Sequence, residues 1–334
     1  MARSYPDNRQ PRSKVIKVMP SKSEKHVQSG EKVTQKKIYG IISPHIVPFT
    51  PDGEVDVNRL EEYIRWLVDK GVNGLFPLGS YGGGPLMNLE ERKLCAEIIT
   101  EAVDGRIPII CHIGAQSTRD SIELAQHAER IGMDAVASYP PTYYRHVPEN
   151  VKAYYQDILN SVSVPVFAYN YPKLVGYEIA IDLLAQLADM GIAGIKDSSM
   201  NLVYLQQAMN AVSRPDFIWV SGNPPIMLAA YMLGVVACVA GTANAFPEFT
   251  RSLWDAIQRG EYKEARELQK KVTRLVELIN ITTDVIGIHE ILRLRGFDFG
   301  GYPRAPLRPC TDKQRANLKQ GLLELGLIPG NVDN

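Results

Sequence analysis

The sequence predicts an α/β fold, a (β/α)8 (TIM) barrel with additional C-terminal helices. Three observations point to it. Short apolar runs of strand length recur along the chain. Amphipathic helical stretches alternate with them. A glycine repeatedly marks the joint where a helix gives way to the next strand.

The apolar runs are YGIISPHIV (39–47), NGLFPLG (73–79), IPIICHIG (107–114), DAVASYP (134–140), VPVFAYN (164–170), IAGIKD (192–197), DFIWVSG (216–222) and VVACVAG (235–241). They are rich in β-branched residues and nearly free of charge, as suits parallel strands buried on both faces. After the first run, Leu60, Ile64, Leu67 and Val68 repeat at helical spacing, and Asn58 with Glu61 has the form of a capping box. Asn88 and Glu91 have the same form before LCAEIITEA. Further helical stretches are RDSIELAQHAERI, ENVKAYYQDIL, AIDLLAQLADM, VYLQQAMNAV, PIMLAAYML and FTRSLWDAI. The joints KGVNGLF, IGMDAVA, MGIAGIK and LGVVACV each place a glycine where a left-handed cap turns the chain back toward a sheet. A doubly wound open sheet shares this alternation. No G-x-G-x-x-G turn opens the first unit, however, which speaks against its dinucleotide-binding form.

The pattern divides the chain into an arm at 1–36, a barrel at 37–260 and a helical extension at 261–334. The arm is polar, basic and poor in large apolar residues, the composition of a flexible segment. In the extension, Ala265, Leu268, Val272, Leu275 and Ile279 form one apolar stripe, followed by GIHEILRLRG and TDKQRANLKQGLLELG.

Composition excludes several classes of function. Lys+Arg and Asp+Glu balance at 37 each, without the basic excess of a nucleic-acid or membrane-surface protein. The four cysteines are scattered with no C-x-x-C pair, which fits a reducing cytoplasm and argues against a disulfide framework or zinc site. No apolar run spans a bilayer. The six histidines show no metal-ligand spacing, so no metal site is expected of them. His112 and His45 read as core or barrel-mouth residues.

In such a barrel the functional side chains lie at the C-terminal strand ends. The second strand delivers Ser80, Tyr81, Gly82 and Gly83, the fourth Tyr139, Tyr143 and Tyr144, the fifth Tyr169, the sixth Lys196. Lys196 is the outlier, because a charged amine ending an apolar strand is costly to desolvate. Burial lowers a lysine's pKa and leaves a neutral amine that can attack a carbonyl. The bland alternative is a salt bridge to Asp197 or a side chain reaching water. Tyr169 at the neighbouring strand end could move protons for such an amine, Ser80 could relay them and Tyr144 extend the chain. The glycine-rich turn offers backbone amides to a carboxylate. Its plainer alternative is a flexible loop, and Tyr143 with Tyr144 has the alternative of a packed lid.

Several ordered motifs carry a family resemblance: VPFTPDGEVD (47–56), GSYGGGPLMNLEER (79–92), YNYP (169–172), GIKDSS (194–199), SGNPP (221–225) and GTAN (241–244). The chain resembles the dihydrodipicolinate synthase / N-acetylneuraminate lyase family of class I pyruvate-dependent aldolases, from roughly Tyr39 to Gly330. The resemblance implies that Lys196 forms an imine with pyruvate or another small 2-oxo acid and that Tyr169 is the general acid and base. It implies that Ser80 serves the proton relay and that Tyr144 is a tyrosine offered to a neighbouring subunit. Val239 would line the site with its backbone carbonyl, beside Gly222 and the Tyr81–Gly82–Gly83 turn. It also implies a homotetramer, a dimer of dimers, without metal or organic cofactor. Three positions depart from the family pattern. Tyr81 stands where a second threonine is usual, Gly83 where glutamate is usual, and Leu174 where the synthases carry arginine. These departures speak against the synthase reaction itself. They leave open a dehydratase of 2-keto-3-deoxy sugar acids using the same imine, or a catalytically altered 2-oxo-acid-binding barrel.

Overall fold

The structure, a computed structural model, describes residues 36–282 and 284–329. The arm expected at 1–36 lies outside the described residues except for Lys36. That residue pairs with Asp134 at 3.3 Å, so it belongs with the barrel rather than with the arm.

The chain runs β1 (Gly40–Ser43), α1 (Val57–Asp69), β2 (Gly74–Leu75), α2 (Leu89–Val103), β3 (Ile110–His112), α3 (Thr118–Arg130), β4 (Ala135–Ser138) and α4 (Pro148–Leu159). It continues through β5 (Val166–Asn170), a short α5 (Pro172–Val175), α6 (Ile181–Asp189), β6 (Gly194–Asp197), α7 (Leu202–Ala211), β7 (Ile218–Ser221), α8 (Met227–Leu233), β8 (Ala237–Val239) and α9 (Pro247–Gln258). Three more helices follow: α10 (Tyr262–Ile279), α11 (Asp284–Leu294) and α12 (Asp312–Glu324).

The eight strands form one parallel sheet in the order β2-β1-β8-β7-β6-β5-β4-β3. A parallel bridge from Leu75 to Ile109 links the two open edges, which makes the sheet a barrel. The strands are shorter than the apolar runs that announced them. β2 keeps two residues of the run 73–79, yet Phe76 and Leu78 beyond it are buried. The chain there has left the hydrogen-bonded ladder while still lining the barrel. Apolar composition reports burial, not pairing, and so overstates strand length.

Alternation along the strands divides the side chains between two cores. Ile42, Phe76, Ala135, Phe167, Val220 and Ala237 point inward and fill the barrel. The opposite faces meet the helices, as where Leu60, Ile64 and Leu67 of α1 join Leu75 and Ile99. The four joint glycines, Gly71, Gly132, Gly191 and Gly234, have φ of 80°, 86°, 115° and 115°, the left-handed caps that the sequence pattern required.

Asn88 and Glu91 form the expected reciprocal capping box on α2, with both bonds at 2.9 Å. The box expected of Asn58 and Glu61 is absent. α1 starts earlier, and the Asp56 carboxylate accepts the Arg59 amide at 3.1 Å. A carboxylate here satisfies an unpaired amide and complements the helix dipole, so it outcompetes the asparagine two residues on. On α10, Ala265, Val272, Leu275 and Ile279 of the expected stripe are buried, together with Leu278, while Leu268 is half-buried. No helix among the described residues is long and apolar enough to cross a membrane.

Candidate active site

Strand register brings the two principal residues together. Tyr169 on β5 is the direct partner of Lys196 on β6. Both are buried, Lys196 to 5% exposure. The Lys196 Nζ stands 3.8 Å from the centre of the Phe76 ring and 3.9 Å from that of Tyr169. Burial holds its pKa well below that of an ordinary lysine, and the weak opposing influence of Cys238 does not restore it. The salt bridge to Asp197 does not form. Successive residues of a strand face opposite sides, and the Asp197 carboxylate is taken by Asn170 Nδ2 at 2.8 Å and Ser199 Oγ at 2.8 Å.

Tyr169 is held as a phenol. Burial raises its pKa first, the neighbouring Tyr171 adds to this, and hydrogen bonding from Ser198 and Ser80 pulls weakly the other way. Tyr171 stacks on it at 5.8 Å. Ser80 thus lies at the Tyr169 hydroxyl. Ser198 is a site residue that sequence reasoning missed. Its signal was the period of two: a residue two beyond Lys196 falls on the same side. Gly222 sits against both. A Cβ there would meet Ser198 Oγ at 1.9 Å and Lys196 Cε at 3.2 Å, and its amide donates to the Asp197 carbonyl at 2.6 Å. Gly222 thus leaves room for the lysine stem and the serine.

The turn after β2 is tighter than an open anion cradle. Leu78 adopts a left-handed φ of 63°, and the Leu78 carbonyl meets His112 Nδ1 at 3.2 Å. Cβ atoms on Gly82 and Gly84 would lie 2.8 Å from the Leu78 nitrogen and 1.9 Å from its oxygen. The Gly83 amide donates to Ser80 and the Gly84 amide to Gly79, at 3.3 and 3.1 Å. The expectation that the Gly83 amide faces a substrate carboxylate is corrected accordingly, since that hydrogen closes the turn. The three glycines serve close packing and one left-handed φ (Gly83, 64°) rather than flexibility. Gly84→Ala forces a methyl into backbone and is expected to cost about 2–3 kcal/mol. Gly83→Ala, whose methyl would meet only the Phe49 ring at an ordinary 3.8 Å, should cost about 1 kcal/mol from its φ. Chemical denaturation of the two variants checks the order.

The remaining predicted residues divide. Val239 lies in the inner core. Tyr81 packs across to Gly241, whose Cβ would fall 2.3 Å from the Tyr81 hydroxyl. Tyr144 is not brought to Lys196 within one chain. It is 75% exposed after β4 and pairs edge-to-face with Tyr143 at 5.1 Å. Leu174, within α5, is 59% exposed. His112 is buried against Tyr139 at 4.6 Å and lies 5.8 Å from Tyr169. Burial, then the Arg92 guanidinium, keeps His112 uncharged. Arg92 itself is buried and bonds the carbonyls of His112 and Gly114 at 2.7 and 2.9 Å, which fixes the end of β3. His45 is likewise buried, with its pKa lowered to about 4. Among the described residues no group of His, Cys, Asp and Glu gathers as metal ligands would.

A barrel whose sixth strand carries at its end a buried lysine of lowered pKa beside a protonated tyrosine has the site of a class I aldolase or related lyase. The chain belongs to the dihydrodipicolinate synthetase family, whose model matches residues 37–325. It is 32% identical over 292 residues to an uncharacterized DapA-like lyase of Halobacterium salinarum, covering 87% of this chain and 95% of the relative. It is 31% identical over 299 residues to the probable 2-dehydro-3-deoxy-D-pentonate aldolase YjhH of Escherichia coli, covering 88% and 99%. Among solved structures it is similar to YagE, a prophage protein of the same family from E. coli K12, in complex with pyruvate. The TM-score is 0.82 and the identity 30%, with coverage of 86% of this chain and 99% of that one. The chain is a lyase of this family.

Proposed function

We propose that Lys196 forms an imine with pyruvate or another 2-oxo acid and that the enzyme makes or cleaves a carbon–carbon bond to an aldehyde partner. The observation that carries this reading is the Lys196 amine, buried between two aromatic rings, with its pKa drawn well below the ordinary lysine value by desolvation. The amine adds to the ketone carbon to give a carbinolamine. The Tyr169 phenol gives its proton to the departing hydroxyl, water leaves, and an iminium remains. In the cleavage direction the tyrosine oxygen, now a strong base, takes the proton of the C4 hydroxyl. The C3–C4 electrons flow into the iminium, an aldehyde departs and an enamine is left. Protonation at C3 and hydrolysis then release pyruvate and the free lysine. Ser80 and Ser198, at the tyrosine oxygen, relay these protons. Backbone around Ser80, Tyr81 and Gly82 takes the carboxylate, with Val239 and Gly222 lining the opposite wall.

For the substrate we favour a 2-keto-3-deoxy sugar acid over the synthase reaction. An exposed Leu174 offers no cation to a second carboxylate, and YjhH bears the name of a pentonate aldolase. A cytoplasmic homotetramer is the setting we propose. Tyr143 and Tyr144, exposed to 82% and 75%, are large aromatics that a second copy would bury.

Borohydride trapping tests the chemistry. Incubation with pyruvate followed by reduction is expected to label Lys196 alone, as read by peptide mass spectrometry, with no label on Lys196→Ala. No adduct with pyruvate or with a panel of larger 2-oxo acids would overturn the reading.

A further inference from the structure

We infer that His112 is a positioning residue for the proton relay: it ties down both ends of the segment that carries Ser80, so that the serine hydroxyl meets Tyr169. The inference rests on the relay described above and names what fixes its serine.

β2 joins β3 through the isolated bridge from Leu75 to Ile109, not through a ladder. Beyond that bridge His112 makes the connection with three of its own groups. Its amide donates to the Pro77 carbonyl at 3.0 Å. Its Nδ1 bonds the Leu78 carbonyl at 3.2 Å. A carbonyl only accepts, so the ring hydrogen sits on Nδ1. The His112 carbonyl in turn accepts from Arg92 Nη2 at 2.7 Å, and Arg92 belongs to α2. Pro77 and Leu78 lead into the turn, and α2 leads out of it. One residue thus holds the segment before and after Ser80.

The turn needs holding. Leu78 has a φ of 63°, a left-handed backbone that leucine rarely adopts. Leu78 is buried, and a carbonyl at that depth depends on a partner. Gly79, next to Ser80, rests on the same side chains. A Cβ there would meet Phe76 Cε1 at 3.2 Å and His112 Cβ at 3.9 Å. The imidazole also lies 5.8 Å from the ring of Tyr169, whose hydroxyl Ser80 bonds. It therefore packs against the tyrosine side of the relay directly and against the serine side through Leu78 and Gly79. Its Nε2 is buried without a hydrogen-bond partner among the described residues. The ring holds the turn through Nδ1 alone.

That asymmetry supplies the test. Asparagine carries an amide nitrogen where Nδ1 stands, and glutamine carries one where Nε2 stands. The readout is exchange of the pyruvate methyl hydrogens with deuterium oxide, followed by proton NMR. Exchange needs the imine and the relay but no aldehyde. His112→Asn should exchange near the unmodified rate. His112→Leu and His112→Gln lose the bond to Leu78 and should exchange up to about 100-fold more slowly, the cost of a slightly misplaced catalytic group. In a Ser80→Ala background the relay hydroxyl is gone, and His112→Leu should slow exchange no further. A loss of general structural origin would multiply in both backgrounds. Circular dichroism confirms folding, and His112→Gln makes the same comparison should His112→Leu fail to fold. Exchange in His112→Asn as slow as in His112→Leu would give the imidazole a proton of its own to carry and overturn the positioning. Unchanged exchange in His112→Leu and His112→Gln, or equal losses with and without Ser80, would overturn it while pyruvate trapping on Lys196 stood. Trapping without exchange in the unmodified enzyme would overturn the relay. Absence of any adduct would overturn the imine reading and this one with it.

Discussion

Lys196→Met is expected to abolish imine formation and to stabilise the protein at neutral pH. The two effects have one cause. The amine is buried against Phe76 and Tyr169, and desolvation keeps it neutral. The unfolded chain exposes the same lysine, which there binds a proton up to its ordinary pKa of about 10.4. Between the depressed folded pKa and that value the unfolded state binds one more proton than the folded state. Stability of the unmodified enzyme therefore rises with pH across this window, by about 1.4 kcal/mol per pH unit for this group. Below the folded pKa both states carry the proton and the cost is constant. Methionine has similar length, suits an apolar lining and carries no proton, so the variant lacks this slope. The same slope, about 1.4 kcal/mol for each pH unit between the folded pKa and about 10.4, makes the expected gain at neutral pH several kcal/mol, and it shrinks as the pH approaches 10. Thermal melts of both proteins across pH 6–10, read beside borohydride trapping, check it. Equal melting temperatures at every pH would mean that the lysine is solvated in the native state, and the basis for its nucleophilicity would be gone. The same titration governs rate. Imine formation should fall as pH drops through the folded pKa and level off above it.

That lysine was legible in the sequence, and so was most of the frame around it. Lys196 ends an apolar run, and strand order alone puts Tyr169 next to it. The glycines at the helix-to-strand joints are local signals, because a left-handed φ is a property of one residue. What was not legible depends on distances across the barrel. The period of two offers Ser198 as a candidate, but its reach to the Tyr169 oxygen depends on β6 continuing its direction past Asp197, where the Ser198 amide still bonds the Asn170 carbonyl at 2.8 Å. The Tyr81–Gly241 contact joins residues 160 positions apart (241 − 81), and no periodicity encodes it. The glycine run 82–84 was read as an anion cradle because glycine is permissive. The structure uses two of the three for close approach to Leu78, a demand invisible without the partner. Tyr144 stands exposed after β4, outside its own chain's site.

Tyr169→Phe is expected to separate the two halves of the mechanism. Phenylalanine keeps the ring that stacks on Tyr171 and lies under the lysine amine, so the packing around Lys196 survives. Removing one buried hydroxyl leaves Ser80 and Ser198 without their shared partner but adds no charge and no volume. Stability should change by about 1 kcal/mol or less. The proton shuttle is what disappears. Carbinolamine collapse loses its acid and the C4 hydroxyl loses its base, so turnover should fall by about 10²–10⁴-fold. A slow adduct with pyruvate should still form on Lys196, because the amine remains neutral and nucleophilic. The KM for the 2-oxo acid should move little, because Tyr169 acts on the reacting oxygens rather than on the carboxylate. Single-turnover release of pyruvate from a 2-keto-3-deoxy sugar acid, compared with trapping yield, separates these effects. Trapping and turnover lost in equal measure would show that the tyrosine positions the amine. Turnover within tenfold of the unmodified enzyme would give the proton transfers to Ser80, Ser198 or solvent instead.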